Sequence, residues 1–273
     1  MDGLGCYLLL RDCFQKEKVE VFPCTYRNVF DVFQTIKPSK KDIVFITDIS
    51  VCCNLLPENY ILLDHHESAV PLLASEKNLI VKIGCSATKL TMAYLKYKYN
   101  YKPSKDMISL CKYIDDYDTF RHKYRAGIHL NRLYWVIGFS GFLEMFKDGF
   151  SGFNKKAREI LIREEQTLQK MFKETEYTII NKVAFAIVPQ RGVDEYCAKL
   201  LKENVDLQFI IVYNAKNKLS LRSRSIPINK IAEEFGGGGH PLACGIEIKE
   251  NENVEEKIEK LIRGLNDEVG PQL

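Results

Sequence analysis

The chain has 273 residues, 46% hydrophobic and 27% charged, with a formal net charge of +3. A balance so near neutrality does not demand a polyanion-binding surface, and at about 100 to 200 residues per domain the length predicts two lobes. Nine cysteines, including the neighbours Cys52 and Cys53 but no C-x-x-C pair, read as buried thiols in a reducing compartment, and with no signal peptide or bilayer-length apolar run the expected location is the cytoplasm, without a membrane partner.

In the first half, short apolar strands alternate with helical patterns, which predicts an α/β fold with a mostly parallel sheet wrapped by helices. Residues 43–47 form a strand that ends at Asp48, and residues 60–63 form another that ends at Asp64-His65-His66. In open α/β sheets ligands gather beyond the carboxyl ends of strands, and a carboxylate with neutral imidazoles suits divalent first-row metals. Residues 79–83 read as a third strand, and Ser86 as the N-cap of a helix over 87–97. Pro103-Ser104 introduces a further helix with Met107, Leu110, Cys111 and Ile114 at core spacing, which runs into Asp115-Asp116-Tyr117-Asp118.

A long charged helix over about 153–176, with Ala157, Leu161, Leu168, Met171 and Phe172 on one side, reads as the connection between lobes. A second α/β unit follows: a strand at 182–188, a helix at 194–203, and a hairpin of 207–213 and 218–222 around Asn214-Ala215-Lys216-Asn217. Its last parts are a helix at 228–235, the run Gly236-Gly237-Gly238-Gly239-His240, a strand at 245–248 and a closing helix at 254–265.

Gly236 is explained as a helix C-cap, and the other three glycines are not. Glycines can turn several N–H groups toward an anion, and His240 can add a donor or a positive charge, so the run reads as a phosphate cradle. Upstream, Ser220-Leu221-Arg222-Ser223 places a guanidinium on a strand, suited to a bidentate phosphate contact. The plain readings are a hinge for the glycines, a turn or N-cap for Asp48, and a solvated helix end for Asp115 to Asp118. Acids at a helix C-terminus oppose the macrodipole, however, and a cation would compensate them. Tyr113, Tyr117 and Phe120 are expected in the core rather than against a nucleobase, and His122 and His129 on the surface or in structural roles.

The ordered set Asp2-Gly3, Asp48, Asp64-His65-His66, Asp115-Asp116, Ser220-Leu221-Arg222-Ser223, Gly236 to His240 and Ala243-Cys244-Gly245 resembles the DHH phosphoesterase superfamily with its DHH-associated C-terminal domain, in its RecJ-like and oligoribonuclease-like branch. The resemblance covers nearly the whole chain. It implies a catalytic DHH domain over 1–140, a helical linker over 141–180 and a substrate-binding domain over 181–273. It implies manganese or magnesium bound by Asp2, Asp48, His65 and one of Asp115 and Asp116, Asp48 bridging and Asp115 favoured. His66 is then a catalytic phosphate contact, Asp64 orients the histidines, and Arg222, Gly237, Gly238, Gly239 and His240 bind substrate. Such ion pairs sit about 3.5 to 4 Å apart and lower the pKa of a shared water.

The family's first motif reads His-x-Asp-x-Asp-Gly, whereas this sequence opens at Met1-Asp2-Gly3. The expectation is therefore one complete metal position instead of two, and a sheet lacking one strand. The function implied is metal-dependent hydrolysis of short oligoribonucleotides or cyclic nucleotides, the substrate being the expected partner and a homodimer an open possibility. The alternatives are a single-strand exonuclease on longer nucleic acid, or an inactive nucleotide-binding relative.

Overall fold

In a computed structural model, residues 1–25, 28–51, 59–74, 78–188, 192–214 and 217–269 are described. The neighbours Cys52 and Cys53 and the hairpin residues Ala215 and Lys216 lie outside them. The chain divides into two compact units, Met1–Glu164 and Glu165–Leu273.

The first unit opens with helix α1 (Asp2–Cys13), followed by α2 (Val29–Thr35), β1 (Val44–Thr47), β2 (Tyr60–Asp64), β3 (Leu79–Val81), α3 (Ala87–Tyr99), α4 (Lys105–Asp118) and α5 (Arg125–Phe146). Helix α6 (Lys155–Glu174) begins in this unit and ends in the next. The sheet is parallel throughout in the order β1-β2-β3, with Val44 opposite Tyr60 and Leu62 opposite Leu79. The expected strands are all present, and both acids of interest fall at carboxyl ends: Asp64 is the last residue of β2, and Asp48 follows β1.

Helix starts follow their caps. Ser86 Oγ accepts from Lys89 N at 3.2 Å and Ser104 Oγ from Met107 N at 3.1 Å, each satisfying an N–H that the helix cannot pair internally. Helix α3 stops at Asn100, whose left-handed φ of 50° suits asparagine. The core forms where Leu4, Leu8 and Leu9 of α1 meet Leu110 and Ile114 of α4 and Leu130 of α5. A Cβ on Gly5 would lie 2.3 Å from Thr88 Oγ1 and 2.8 Å from Ile114 Cδ1, so glycine here lets α1 seat directly on α3 and α4.

The second unit contains β4 (Tyr177–Ile180), β5 (Val183–Ile187), α7 (Val193–Glu203), β6 (Phe209–Asn214), β7 (Lys218–Ser223), α8 (Asn229–Glu234), β8 (Gly238–His240), β9 (Ala243–Glu247) and α9 (Val254–Val269). Its six strands run in the order β4-β5-β6-β7-β9-β8; β5 and β6 are parallel and the other neighbours antiparallel. One face packs on α8 and α9 through Phe209, Leu219, Leu221, Ile246, Leu261 and Leu265. The opposite face packs on α7 through Ile210, Val212, Tyr196 and Leu200. No helix among the described residues is long and apolar enough to cross a membrane.

Candidate metal centre

Three acids and a histidine from four separate stretches converge in the first unit. His65 Nε2 lies 3.5 Å from Asp2 Oδ2, 3.3 Å from Asp48 Oδ1 and 3.4 Å from Asp118 Oδ2. Local structure fixes each of them. Asp2 sits at the start of α1, and its two carboxylate oxygens accept from Ala87 N at 2.7 Å and Thr88 N at 2.8 Å. These N–H groups open α3, where the helix dipole favours an anion. Asp48 has a φ of 63°, a left-handed conformation that aspartate tolerates better than most residues. In that position its Oδ2 accepts from Gly3 N at 2.9 Å and its Oδ1 faces His65.

The Asp64 side chain turns back on its own neighbours. Its Oδ1 accepts from His65 N at 2.7 Å and pairs with His66 Nδ1 at 2.7 Å. Although burial raises the pKa of Asp64, the hydrogen bonds from His66 and Ser50 outweigh it and hold the carboxyl below its ordinary value. Asp64 is thus an anion that orients His66, whose own pKa is raised because the hydrogen bond and charge of Asp64 exceed the effect of desolvation. The rings of His65 and His66 are 4.3 Å apart.

Electrostatically, acids dominate the cluster. Burial first, then the charges of Asp48 and Asp118, push Asp2 up to about 8. Burial and Asp48 push Asp118 up to about 6. Desolvation pulls His65 down, but the hydrogen bond it donates to Asp48 and the charges of Asp118 and Asp2 outweigh it and raise His65 to about 9. Beyond the ion-pair contact with His65, the buried Oδ2 of Asp118 has no hydrogen-bond donor among the described residues. Ligand atoms of Asp2, His65 and Asp118, and separately of Asp48, Asp64, His65 and His66, lie within 4.8 Å of one another. Carboxylate oxygens with an imidazole nitrogen suit manganese or magnesium, and a divalent cation would relieve the mutual repulsion of the acids. The residues present therefore fit such an ion.

Asp115 and Asp116 do not join this cluster. Asp115 Oδ1 accepts from Ser86 N at 2.9 Å, and its Oδ2 pairs with Lys89 Nζ at 3.0 Å and with Arg121. Asp116 accepts from Lys123 N at 3.2 Å and Tyr124 N at 2.9 Å. Both carboxylates are buried and fasten backbone, so Asp118 at the end of α4 stands where one of them was expected. Asp115 and Asp118 share a helix face at i, i+3, and only the depth of α4 decides which acid reaches His65. Phe120, expected in the core, is 41% exposed. Tyr113 and Tyr117 are half-buried.

In the second unit, Arg222 Nε lies 2.9 Å from Asp194 Oδ1, and its Nη1 donates to Leu221 O at 2.8 Å. The C-cap of α8 is Phe235, and Gly236, expected there, follows it with a left-handed φ of 75°. A Cβ on Gly237 would lie 2.3 Å from Gly245 O, and one on Gly239, with a φ of 144°, 2.6 Å from Ala243 O. Close approach of β8 to β9 thus explains these two. Nothing lies within 4 Å of a Cβ on Gly238. His240 ends β8, half-buried, and its carbonyl accepts from Cys244 Sγ at 3.1 Å.

Residues 179–269 match the DHHA1 domain. Over 91% of this chain and 71% of its relative, the sequence is 25% identical to oligoribonuclease NrnB of Bacillus subtilis. A pGpG-specific phosphodiesterase, PggH of Vibrio cholerae, has a similar fold, with a TM-score of 0.58 at 14% identity over 98% of this chain and 96% of that one. RecJ of Thermus thermophilus, solved with Mn2+, gives a TM-score of 0.60 at 13% identity over 97% of this chain and 50% of RecJ.

Proposed function

Since the chain belongs to the DHH phosphoesterase superfamily, we propose that it is a metal-dependent phosphodiesterase acting on short oligoribonucleotides, down to the linear dinucleotide. The convergence of Asp2, Asp48 and Asp118 on His65 carries the reading, and the NrnB and PggH relatives, named for an oligoribonuclease and a pGpG phosphodiesterase, support the substrate class.

In this proposal Asp2, Asp48, His65 and Asp118 hold the divalent ion. When bound there, it supplies a Lewis acid and a water of lowered pKa for in-line attack on phosphorus. The N–H groups of Ala87 and Thr88 fix Asp2 against α3, so that ligand is oriented in advance. Asp64 engages Nδ1 of His66 and favours its cationic form, leaving Nε2 to donate to a phosphate oxygen. In the second unit, Arg222, Gly237, Gly238, Gly239 and His240 are assigned to substrate contact, and the open space at Gly238 supports that assignment most directly.

The test is to incubate the purified chain with manganese and 5′-labelled diribonucleotides, pentaribonucleotides, cyclic dinucleotides and long single strands, with an EDTA control. Mononucleotide released from the short linear substrates, lost in EDTA and in His66→Ala, is the expected result. A folded protein that releases none from any substrate overturns the reading.

A further inference from the structure

Two residues after Asp118 the chain enters a segment, 120–125, that reads Phe-Arg-His-Lys-Tyr-Arg, and every one of these residues is exposed. Rings and cations alternate along it. Phe120 and His122 both hold left-handed backbone, with φ of 54° and 47°, a conformation uncommon for a bulky side chain and found where surrounding structure imposes it.

The imposing groups are the two buried acids that the metal cluster leaves aside. Asp115 accepts from Thr119 N at 3.1 Å through its carbonyl, and its carboxylate pairs with Arg121. Asp116 accepts from Arg121 N at 3.1 Å and His122 N at 3.3 Å through its carbonyl, and from Lys123 N and Tyr124 N through its carboxylate. The turn is therefore bolted to the end of α4 at six points, while Phe120, His122, Lys123 and Arg125 remain exposed. His122 lies 5.1 Å from Tyr117 at 31° and 5.8 Å from Phe120, so the three rings form a run. Lys112 lies 3.9 Å over the Tyr124 ring. Lys123 and Arg125 have no ion-pair partner among the described residues.

We propose that residues 120–125 form a platform for single-stranded oligoribonucleotide, with Phe120 and His122 stacking on bases and Lys123 and Arg125 contacting phosphates. The inference deepens the phosphodiesterase reading and rests on it for the choice of ligand. A polypeptide or polyanion could use the cations, but aromatic rings interleaved with cations on a backbone held rigid match a flexible strand that offers both bases and charge. Held beside Asp118, the platform would confer a preference for strands longer than a dinucleotide.

Fluorescence anisotropy in EDTA, with fluorescein-labelled di- and pentaribonucleotides at several salt concentrations, tests the proposal without cleavage. Phe120→Gly and His122→Gly remove the rings while suiting left-handed backbone, so thermal melts at or above wild type are expected. Arg125 opens α5, so Arg125→Glu favours the helix dipole and keeps the fold. The wild type should bind the pentamer more tightly than the dimer, and each glycine variant should weaken pentamer binding about tenfold, within the range for base–aromatic stacking. Lys123→Ala and Arg125→Glu should each make the log–log salt slope shallower by about 0.7. Equal binding of dimer and pentamer by the wild type overturns the platform. So do glycine variants that bind the pentamer as the wild type does, or that lose inorganic polyphosphate equally. Absence of manganese-dependent cleavage with this binding pattern intact would sink the hydrolase reading alone.

Discussion

At the scale of the residue, Asp2, Asp118, Asp115 and Asp116 divide into two kinds of work. Asp2 and Asp118 repel each other and Asp48 around His65, whereas Asp115 and Asp116 are satisfied by backbone N–H groups and cations. Asp118→Asn is therefore expected to weaken manganese binding more than about 100-fold, since changes in outer-shell partners alone cost 10–100-fold, with little change in the metal-free melt. Asp115→Asn should do the reverse, leaving metal affinity intact and costing about 1–3 kcal/mol of stability from the broken buried pairing. Calorimetric manganese titration and urea melts of the two variants decide it; weaker manganese binding in Asp115→Asn would show the division to be wrong.

The same groups set how metal-free stability responds to pH. Asp2 titrates near 3.8 when unfolded and at about 8 when folded, so the folded state holds the extra proton between those values and loses stability as pH rises through them. His65 is raised from 6.5 to about 9, so the stability from its imidazolium is complete below 6.5 and vanishes as pH climbs through 9. Both slopes have one sign, and in EDTA the melting temperature should fall steadily from pH 6.5 to 9. Saturating manganese should flatten or reverse that slope. A metal-free melt that rises with pH in this window contradicts the assignment. The sequence displayed Asp48 and the Asp64-His65-His66 triplet because strands announce where they end. It could not rank the three acids Asp115, Asp116 and Asp118 in one helical turn, since the choice of Asp118 depends on how α4 is seated.

At the scale of the element, helix α5 shows what pattern reading misses. Its backbone breaks at Gly138, with φ 68° and ψ −175°, a region essentially reserved for glycine. A Cβ there would meet nothing within 4 Å, and the same holds for Gly264 inside α9. Steric room is thus equal and only the backbone differs. Gly138→Ala should destabilise by about 1–3 kcal/mol, whereas Gly264→Ala should stabilise by about 0.5–1 kcal/mol, both read as shifts in urea midpoint. Equal effects of one sign would mean that Gly138 is not held in that conformation. The break also explains why α5 was not legible: no single 3.6-residue stripe runs across it. Helix α1 was hidden differently, because Leu4, Gly5, Cys6, Leu8, Leu9 and Leu10 are all buried and leave no polar face to give a period. Strand β8 was hidden in the glycine run, where missing side chains read as a ligand cradle although Gly237 and Gly239 are required by β9. Strands β5, β6 and β7 and helix α9 were legible, because each carries a continuous apolar run or a clear amphipathic face.

At the scale of the whole molecule, the clustered acids belong to Met1–Glu164 and the DHHA1 match to the other unit, so removing metal should be felt locally first. Binding to the folded centre stabilises by RT ln(1 + [L]/Kd), about 2.7 kcal/mol at 100 Kd, if the unfolded chain does not bind. Amides whose exchange requires opening of the centre should then exchange roughly 100-fold more slowly with manganese than in EDTA. The start of α1, the residues Asp48 to Val51 and Asp64 to His66, and the end of α4 carry the ligands or adjoin them and are where the slowing should concentrate. Amides of β5, β6 and β7 that exchange by local fraying should not respond, because their hydrogen bonds do not depend on Asp2 or Asp118. Peptide-resolved hydrogen exchange distinguishes these regions in one experiment. Protection confined to the second unit would place the ion elsewhere and dissociate the carboxylate cluster from metal binding.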